Sequence, residues 1–385
     1  MALHALRWAL LVAALAPSAY YLIALYCVWD YFRNVKHPPQ NAPNFTPPVS
    51  VLKPVRGVDR DAYENFASFC RQNYPRFEIL FAVAERDDPV IPLIERLQRD
   101  FPNASVRLIV GVEQLGANRK LNNLERLSRE AANEILVISD SDVRVDGDYL
   151  RRVARHFLDP DVGAVTAFFR SVAQGSFGAE LEALVLSTET VPNALVARKI
   201  EGKVQFAFGW TMATTKTHLR AIGGFEDMVN VHSDDFELGR RLAAKGLTIE
   251  LLDEPVEMVF PQESFGDYLR RELRWAIGLR NVRPAGYWGL LFTFGLPWTI
   301  LAVTLAPSRG CAAGFAASYL LLRCFQVWFT GVWGLMDPVT RKSWWLAPLR
   351  DAINFCIWIA GFFTSEIEWR GIKYKVRKGL LVRVP

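Results

Sequence analysis

Cysteine is scarce: five occur among 385 residues, and no Cys-x-x-Cys spacing exists. A disulfide framework and a thiolate metal site are therefore excluded. Cys27, Cys311, Cys324 and Cys356 fall in or beside apolar blocks, leaving Cys70 alone in polar sequence, which agrees with a reducing compartment. Charge of one sign is also in short supply. A formal net charge of +5, with no basic-aromatic pattern, argues against nucleic acid as a partner, and attraction to a membrane surface accounts for it. No internal repeat or low-complexity segment occurs, so a solenoid is out as well.

Hydrophobic residues, by contrast, make up 51% of the chain and concentrate at its two ends. The block from Leu6 to Trp29 is long enough to cross a bilayer, which takes about 20 residues. Ala16-Pro17-Ser18-Ala19 resembles a cleavage site, but the apolar run continues past it and the basic region before it is thin, so an uncleaved anchor is expected. Three further blocks follow at Trp288–Ala306, Ala312–Leu335 and Ala352–Thr364. The first two are long enough to span. The third is short and preceded by Arg350-Asp351, so it spans with help or lies at the interface. Arg323, in the middle of the second block, either snorkels or packs between helices.

Arg33 and Lys36 follow the first span, and Arg370, Lys373, Lys375, Arg377, Lys378 and Arg383 follow the last block. Positive flanks favour the cytoplasm, so an even number of C-terminal crossings is expected, with one block interfacial or re-entrant. The expected organisation is an anchor over 1–36, an α/β domain over 37–284, membrane or interfacial helices over 285–366 and a basic tail over 367–385. Such a protein is integral to a membrane with its α/β domain in the cytoplasm: the bacterial inner membrane, or a Golgi membrane in a eukaryote.

Residues 37–49 are proline-rich and read as a connector. Strand and helix signals then alternate. Strands are expected at Pro48–Pro54, 78–84, Ser105–Gly111 and Ile135–Ile138, and helices at 60–72, 89–100, 119–132 and Tyr149–Leu158. Gly163–Phe169 reads as a strand, 178–199 as a helix and Phe206–Thr214 as a strand. This alternation predicts an α/β fold with a parallel sheet covered on both faces.

Carboxylates cluster where such a sheet binds ligands, beyond the carboxyl ends of its strands. Asp87-Asp88 and Asp140-Ser141-Asp142 each end an apolar run. In an extended segment Asp140 and Asp142 point to opposite sides, unless the chain turns after the strand. With a turn, the pair suits Mg²⁺ or Mn²⁺, which takes one or two carboxylates and completes its shell with substrate phosphates. The bland alternative for both clusters is a solvated turn. Asp234-Asp235 opens a helical pattern in which Ser233 or Asp234 is the N-cap. A cap explains one acid and leaves the second, Asp235, available as a general base toward an acceptor hydroxyl. Arg271 and Arg274 share a helix face with Trp275 beside them, suited to a leaving diphosphate or to an anionic lipid surface. Lys120, within Gly116–Leu124, precedes a helix and suits either a phosphate or plain solvation beside asparagine caps. His232 is given no role.

These stretches in this order resemble the membrane-bound GT-A glycosyltransferases, specifically the ceramide glucosyltransferase family. The likeness runs from the anchor to the tail. It rests on Leu52-Lys53-Pro54-Val55-Arg56-Gly57-Val58-Asp59, Asp87-Asp88-Pro89, Gly116–Leu124, Asp140–Val145, Asp234-Asp235-Phe236 and Arg271–Trp275. It implies a GT-A, Rossmann-like domain with a mostly parallel sheet. It also implies an inverting transfer of glucose from UDP-glucose to the primary hydroxyl of ceramide. Asp88, Asp140 and Asp235 become the three aspartates of the family series, with Asp235 the base, and Arg271, Arg274 and Trp275 form its last motif. Pro54, Asp88, Lys120 and Asp140 fall at the nucleotide, and Asp140 and Asp142 at a divalent cation. Two departures concern the acceptor. A histidine of animal members has no counterpart near Ser187–Pro192, and Arg271 stands where others carry glutamine. Hopanoid or diacylglycerol glycosyltransferases and processive polysaccharide synthases share the series and are the alternatives. From another class, a non-catalytic membrane scaffold would leave the acids structural.

Overall fold

The structure is a computed structural model that describes residues 1–35, 45–172, 176–260, 264–369 and 371–384. Most of the expected connector, together with Lys36 and Arg370, lies outside the described residues. The chain divides into two compact units. One gathers Val35–Val172, Glu201–Pro261 and Gly379–Pro385, and the other Met1–Asn34, Ala173–Ile200 and Gln262–Lys378.

The first unit is α/β. Its strands are β1 (Val49–Pro54), β2 (Phe77–Val83), β3 (Ser105–Val110), β4 (Ile135–Ser139), β5 (Val143–Arg144), β6 (Val162–Thr166), β7 (Phe169–Val172), β8 (Thr211–Thr215), β9 (Thr248–Leu251) and β10 (Val256–Val259). Seven of them form one sheet in the order β3-β2-β1-β4-β8-β6-β9, and β5-β10-β7 form a smaller one. The inner strands are apolar on both faces, every residue of β4 and β6 being buried, as a sheet covered by helices requires. Helices Ala62–Cys70, Ile91–Asp100 and Arg119–Glu130 alternate with β1 to β4, which run parallel.

Beyond β4 the pattern departs from expectation. β8 lies antiparallel between β4 and β6. Among the described residues no crossover helix of this unit leads into β8, since 176–200 belong to the other unit, so nothing there imposes parallel pairing. The strand expected at Gly163–Phe169 is two: β6 ends at Thr166 in the large sheet, and β7 starts at Phe169 in the small one. The strand expected at Phe206–Thr214 begins only at Thr211, preceded by a single bridge between Phe208 and Thr211.

The second unit is built of apolar helices. Among the described residues three helical runs are long and apolar enough to cross a membrane: Ala2–Asn34, Arg309–Gly334 and Pro338–Phe363. A fourth pair, Pro284–Phe292 and Gly295–Leu305, is bent by 42° at its break, as a broken span or re-entrant loop is. The block read as short is therefore extended by Pro338–Leu346, while the interrupted one is the first of the two blocks read as long enough to span. The expected helix at 178–199 is also broken. A π-helical turn, Leu186–Thr190, separates Phe177–Ala183 from Val191–Glu201. Pro192 has no N–H to offer the carbonyl of Thr188, and Arg323 Nη1 donates to that oxygen at 2.9 Å instead. The region read as a basic tail is ordered: β11 (Glu366–Trp369) and β12 (Ile372–Arg377) form an antiparallel hairpin. In the α/β unit, Leu380, in β13 (Leu380–Arg383), bridges Val231.

Arg323 does not snorkel. Its Nε donates to both carboxylate oxygens of Asp351, at 3.1 and 2.9 Å, its Nη1 reaches Gln326 Oε1 at 2.6 Å, and Tyr319 donates to Asp351 at 2.8 Å. Deleting one member of a buried ion pair strands the other, at a cost of about 3–5 kcal/mol. Asp351→Leu is therefore expected to lower the thermal midpoint of the detergent-solubilised protein sharply. The Arg323→Met/Asp351→Leu double variant should recover most of the loss, and equal midpoints for single and double variants would contradict the pairing.

Candidate active site

The site of the α/β unit begins with an anomaly in β1. Lys53 is the one charged residue of β1 and has no exposed surface. Its ammonium donates to Ser139 Oγ at 3.0 Å and to the carbonyl of Asp140 at 2.9 Å, over the ring of Phe69. It thereby fixes the point where β4 ends. Burial pulls its pKa down to about 7, against the attraction of Asp140 and Asp142. The chain then turns at Ser141 and Asp142 before entering β5, and the Asp142 carbonyl accepts from the Val259 amide at 2.9 Å. This is the turn that frees Asp140 and Asp142 from pointing to opposite sides. Ser141 Oγ donates to Asp59.

Helix Arg119–Glu130 delivers Lys120. Asn118 caps it by accepting from the Leu121 amide, and also donates to the Val231 carbonyl at 2.8 Å. Asn230 Oδ1 accepts from the Ala117 amide at 2.9 Å, and Asn122 closes a reciprocal pair of bonds with the backbone of Gly116, both 3.0 Å. The two loops approach so closely that a Cβ on Gly116 would lie 2.6 Å from Val229, so only glycine fits there. Asn118 is a cap, as the bland reading has it, but Lys120 is not solvated. Its side chain is 15% exposed, with Nζ 2.8 Å from Asp140 Oδ1 and 3.0 Å from Asp234 Oδ2. Burial opposes the ammonium charge, yet Asp140 and Asp234 outweigh it and hold the pKa above the usual lysine range.

Asp234 and Asp235 open helix Asp234–Ala244, where their charge complements the helix dipole. Ser233 occupies the cap position without a side-chain capping bond. Asp235 Oδ2 accepts from the Gly209 amide at 2.9 Å, and Oδ1 from the Phe236 amide at 2.7 Å. Burial, with Asp234 beside it, pushes Asp235 up to about 6, suited to accepting a proton. Gly209 is the pivot. A Cβ there would lie 3.2 Å from Asp235 Oδ2, 3.3 Å from Lys120 Nζ and 3.7 Å from Asp140 Oδ2. Lys120, Asp140 and Asp235 thus converge around one backbone position, and Asp234 joins them through Lys120.

The remaining candidates are placed differently. Pro54 ends β1, paired with Ala82. Asp88 is buried, and both its oxygens accept from the Gly57 amide at 3.0 and 2.9 Å, while Oδ1 also accepts from Val90 at 2.9 Å. Its carboxylate ties the loops after β1 and β2 together. Arg271, Arg274 and Trp275 lie in helix Phe265–Val282 of the helical unit. Arg271 pairs with the buried Glu182 at 2.8 Å, and Arg274 stacks over Trp369. Two residues of this site carry no earlier assignment. Lys53 was visible as a charge inside an apolar strand, whereas nothing local in the sequence marks Gly209.

Among the described residues no group of three or more histidine, cysteine or acidic side chains is arranged to hold a metal ion. What the chain offers a cation is the Asp140–Asp142 turn beside carboxylates that already bind an ammonium. That donor set fits a hard ion whose other ligands come from a diphosphate and water.

The sheet and its small companion are those of the GT-A fold. The mannosyltransferase PcManGT from Pyrobaculum calidifontis, solved in complex with GDP-Man and Mn²⁺, shares the fold with a TM-score of 0.60, at 21% identity over 92% of this chain and 99% of that one. The chain belongs to glycosyl transferase family 21, which it matches over residues 9–382. It is similar to ceramide glucosyltransferase 3 of Caenorhabditis elegans, 25% identical over 84% of this chain and 72% of the relative. Ceramide glucosyltransferase 1 of the same organism is 24% identical over 95% and 79%.

Gly209→Ala tests the convergence. The added methyl must displace the Asp235 carboxylate or the Lys120 ammonium by tenths of an ångström, and misplacement on this scale costs about tenfold or more in kcat/KM. Activity is expected to fall far more than thermal stability. An alanine variant with wild-type kinetics would place the reaction elsewhere.

Proposed function

We propose that the protein is an inverting glycosyltransferase that moves glucose from UDP-glucose to the primary hydroxyl of ceramide, at the cytoplasmic face of its membrane. The observation that carries this reading is the Lys120–Asp140–Asp234–Asp235 cluster beyond β4, where sheets of this kind receive nucleotides. The choice of ceramide and glucose follows the names of the relatives.

In this reading Asp235 takes the proton of the acceptor hydroxyl as its oxygen attacks the anomeric carbon. The Gly209 amide fixes the orientation of that carboxylate. Pro54, Asp88 and Lys120 bind the nucleotide, with Asp88 holding the loops that meet the nucleoside. Asp140 and Asp142 are the residues that would hold Mg²⁺ or Mn²⁺, which when bound supplies positive charge to the diphosphate. Arg271 and Arg274 add guanidinium charge for the departing UDP, and Glu182 orients the first of them. Trp275 packs on the sugar or the lipid.

Purified protein should be incubated with several UDP-sugars and with ceramide, diacylglycerol and hopanoid acceptors, and the products weighed by mass spectrometry. Glucosylceramide is the expected product. A long polymer, a different glycolipid or no product would each overturn the assignment. Asp235→Asn is expected to reduce kcat by about 10²–10⁴, and near-normal turnover would sink the base assignment. Chelation of divalent cations should abolish transfer and added Mg²⁺ or Mn²⁺ restore it. Asp142→Asn should raise the metal concentration needed, and transfer untouched by chelator would remove the cation from the reading.

A further inference from the structure

The helical unit holds a second buried ionic group besides Arg323 and Asp351. Arg350, in helix Ala347–Phe363, has no exposed surface. Its Nη2 lies 3.1 Å from both oxygens of Glu272 and 3.3 Å from Glu189 Oε1, Nη1 donates to Tyr268 Oη at 2.5 Å, and Nε donates to Thr188 Oγ1 at 3.3 Å. One guanidinium therefore serves two carboxylates, and every nitrogen of it is engaged. Burial, against the pull of Arg350, pushes Glu272 up to about 7. Ionisable groups inside an apolar helical unit are costly and concentrate where polar substrates are handled.

Glu189 differs from the rest. Its side chain is 31% exposed, and it sits on the π-helical turn Leu186–Thr190, a distortion common at functional sites. Asn354, 6% exposed, donates its Nδ2 to Glu189, while its Oδ1 has no hydrogen-bond partner among the described residues. A buried amide oxygen left so calls for a donor. The group thus offers acceptors, a carboxylate and an amide oxygen, and no uncommitted guanidinium nitrogen for a phosphate.

We infer that Glu189 and Asn354 recognise the polar head of a neutral membrane lipid through its hydroxyl and amide N–H donors. The inference deepens the acceptor reading given above and rests on it for the identity of the lipid. Arg350 is a positioning residue, holding Glu189 beside Asn354.

Full-length protein in lipid nanodiscs, exposed to photoreactive ceramide or photoreactive phosphatidylglycerol of matched chain length, provides the test. Ceramide is expected to label peptides within Val191–Glu201 and Ala347–Phe363, and the phospholipid is not. Glu189→Ala and Asn354→Leu should each cut that labelling about tenfold, as loss of a hydrogen bond to a charged or buried partner does. Glu189→Gln, which keeps an acceptor oxygen, should retain part of it. In turnover assays the Glu189→Ala variant should raise the KM for lipid about tenfold and leave the KM for nucleotide sugar unchanged. Wild-type labelling in both variants, or equal labelling by phosphatidylglycerol, overturns the inference. Labelling does not need turnover. If no lipid is glycosylated yet the labelling pattern holds, the proposed reaction fails and this site stands. If product forms with unchanged labelling and lipid KM in the variants, this site alone fails.

Discussion

The α/β unit depends on one ammonium. Three carboxylates gather beyond β4, and Lys120 lies within 3.0 Å of two of them. Unit charges about 4 Å apart interact by roughly 4 kcal/mol at the effective dielectric of a partly buried protein site. Without Lys120, Asp140 and Asp234 would repel each other with no cation between them. The lysine in turn stands where it does because Asn118 and Asn230 lace the loop before its helix to the loop before Asp234, while Asn122 closes the first loop on Gly116. Uncharged amides thus set the spacing of the charged groups.

Much of this was legible in the chain. Apolar runs ending in acids marked β2 and β4, and their helical spacers marked a parallel sheet, because both signals are local. Asp140, Asp142 and Asp235 stood out for the same reason. What escaped was non-local. The antiparallel insertion of β8 depends on a chain excursion that leaves no mark in the periodicity of Phe206–Thr214. The division of Gly163–Phe169 between two sheets has no counterpart in its apolar content. Gly209 matters only because three side chains from distant segments close around it. Asp88 stood out as an acid ending an apolar run, while the bonds of its carboxylate to the amides of Gly57 and Val90 are a tie no spacing rule reveals.

The helical unit shows the same limit. Arg323 inside an apolar block had two readings, and the partner that decides between them, Asp351, lies 28 residues on. Pro192 explains why a buried guanidinium is useful there: the proline frees the carbonyl of Thr188, and Arg323 satisfies it. A helix defect in one segment and a buried charge in another are thus a single feature. Each would be expensive alone.

Near its end the chain returns to the α/β unit. The amide of Leu381 donates to the carbonyl of Asn230, and that of His232 to the carbonyl of Gly379, both at 2.8 Å, immediately before Asp234 and Asp235. During synthesis the apolar helices emerge from the ribosome before these residues do. The loop that carries the two acids therefore completes its backbone bonds only once Gly379 and Leu381 have been translated, after every apolar helix named above.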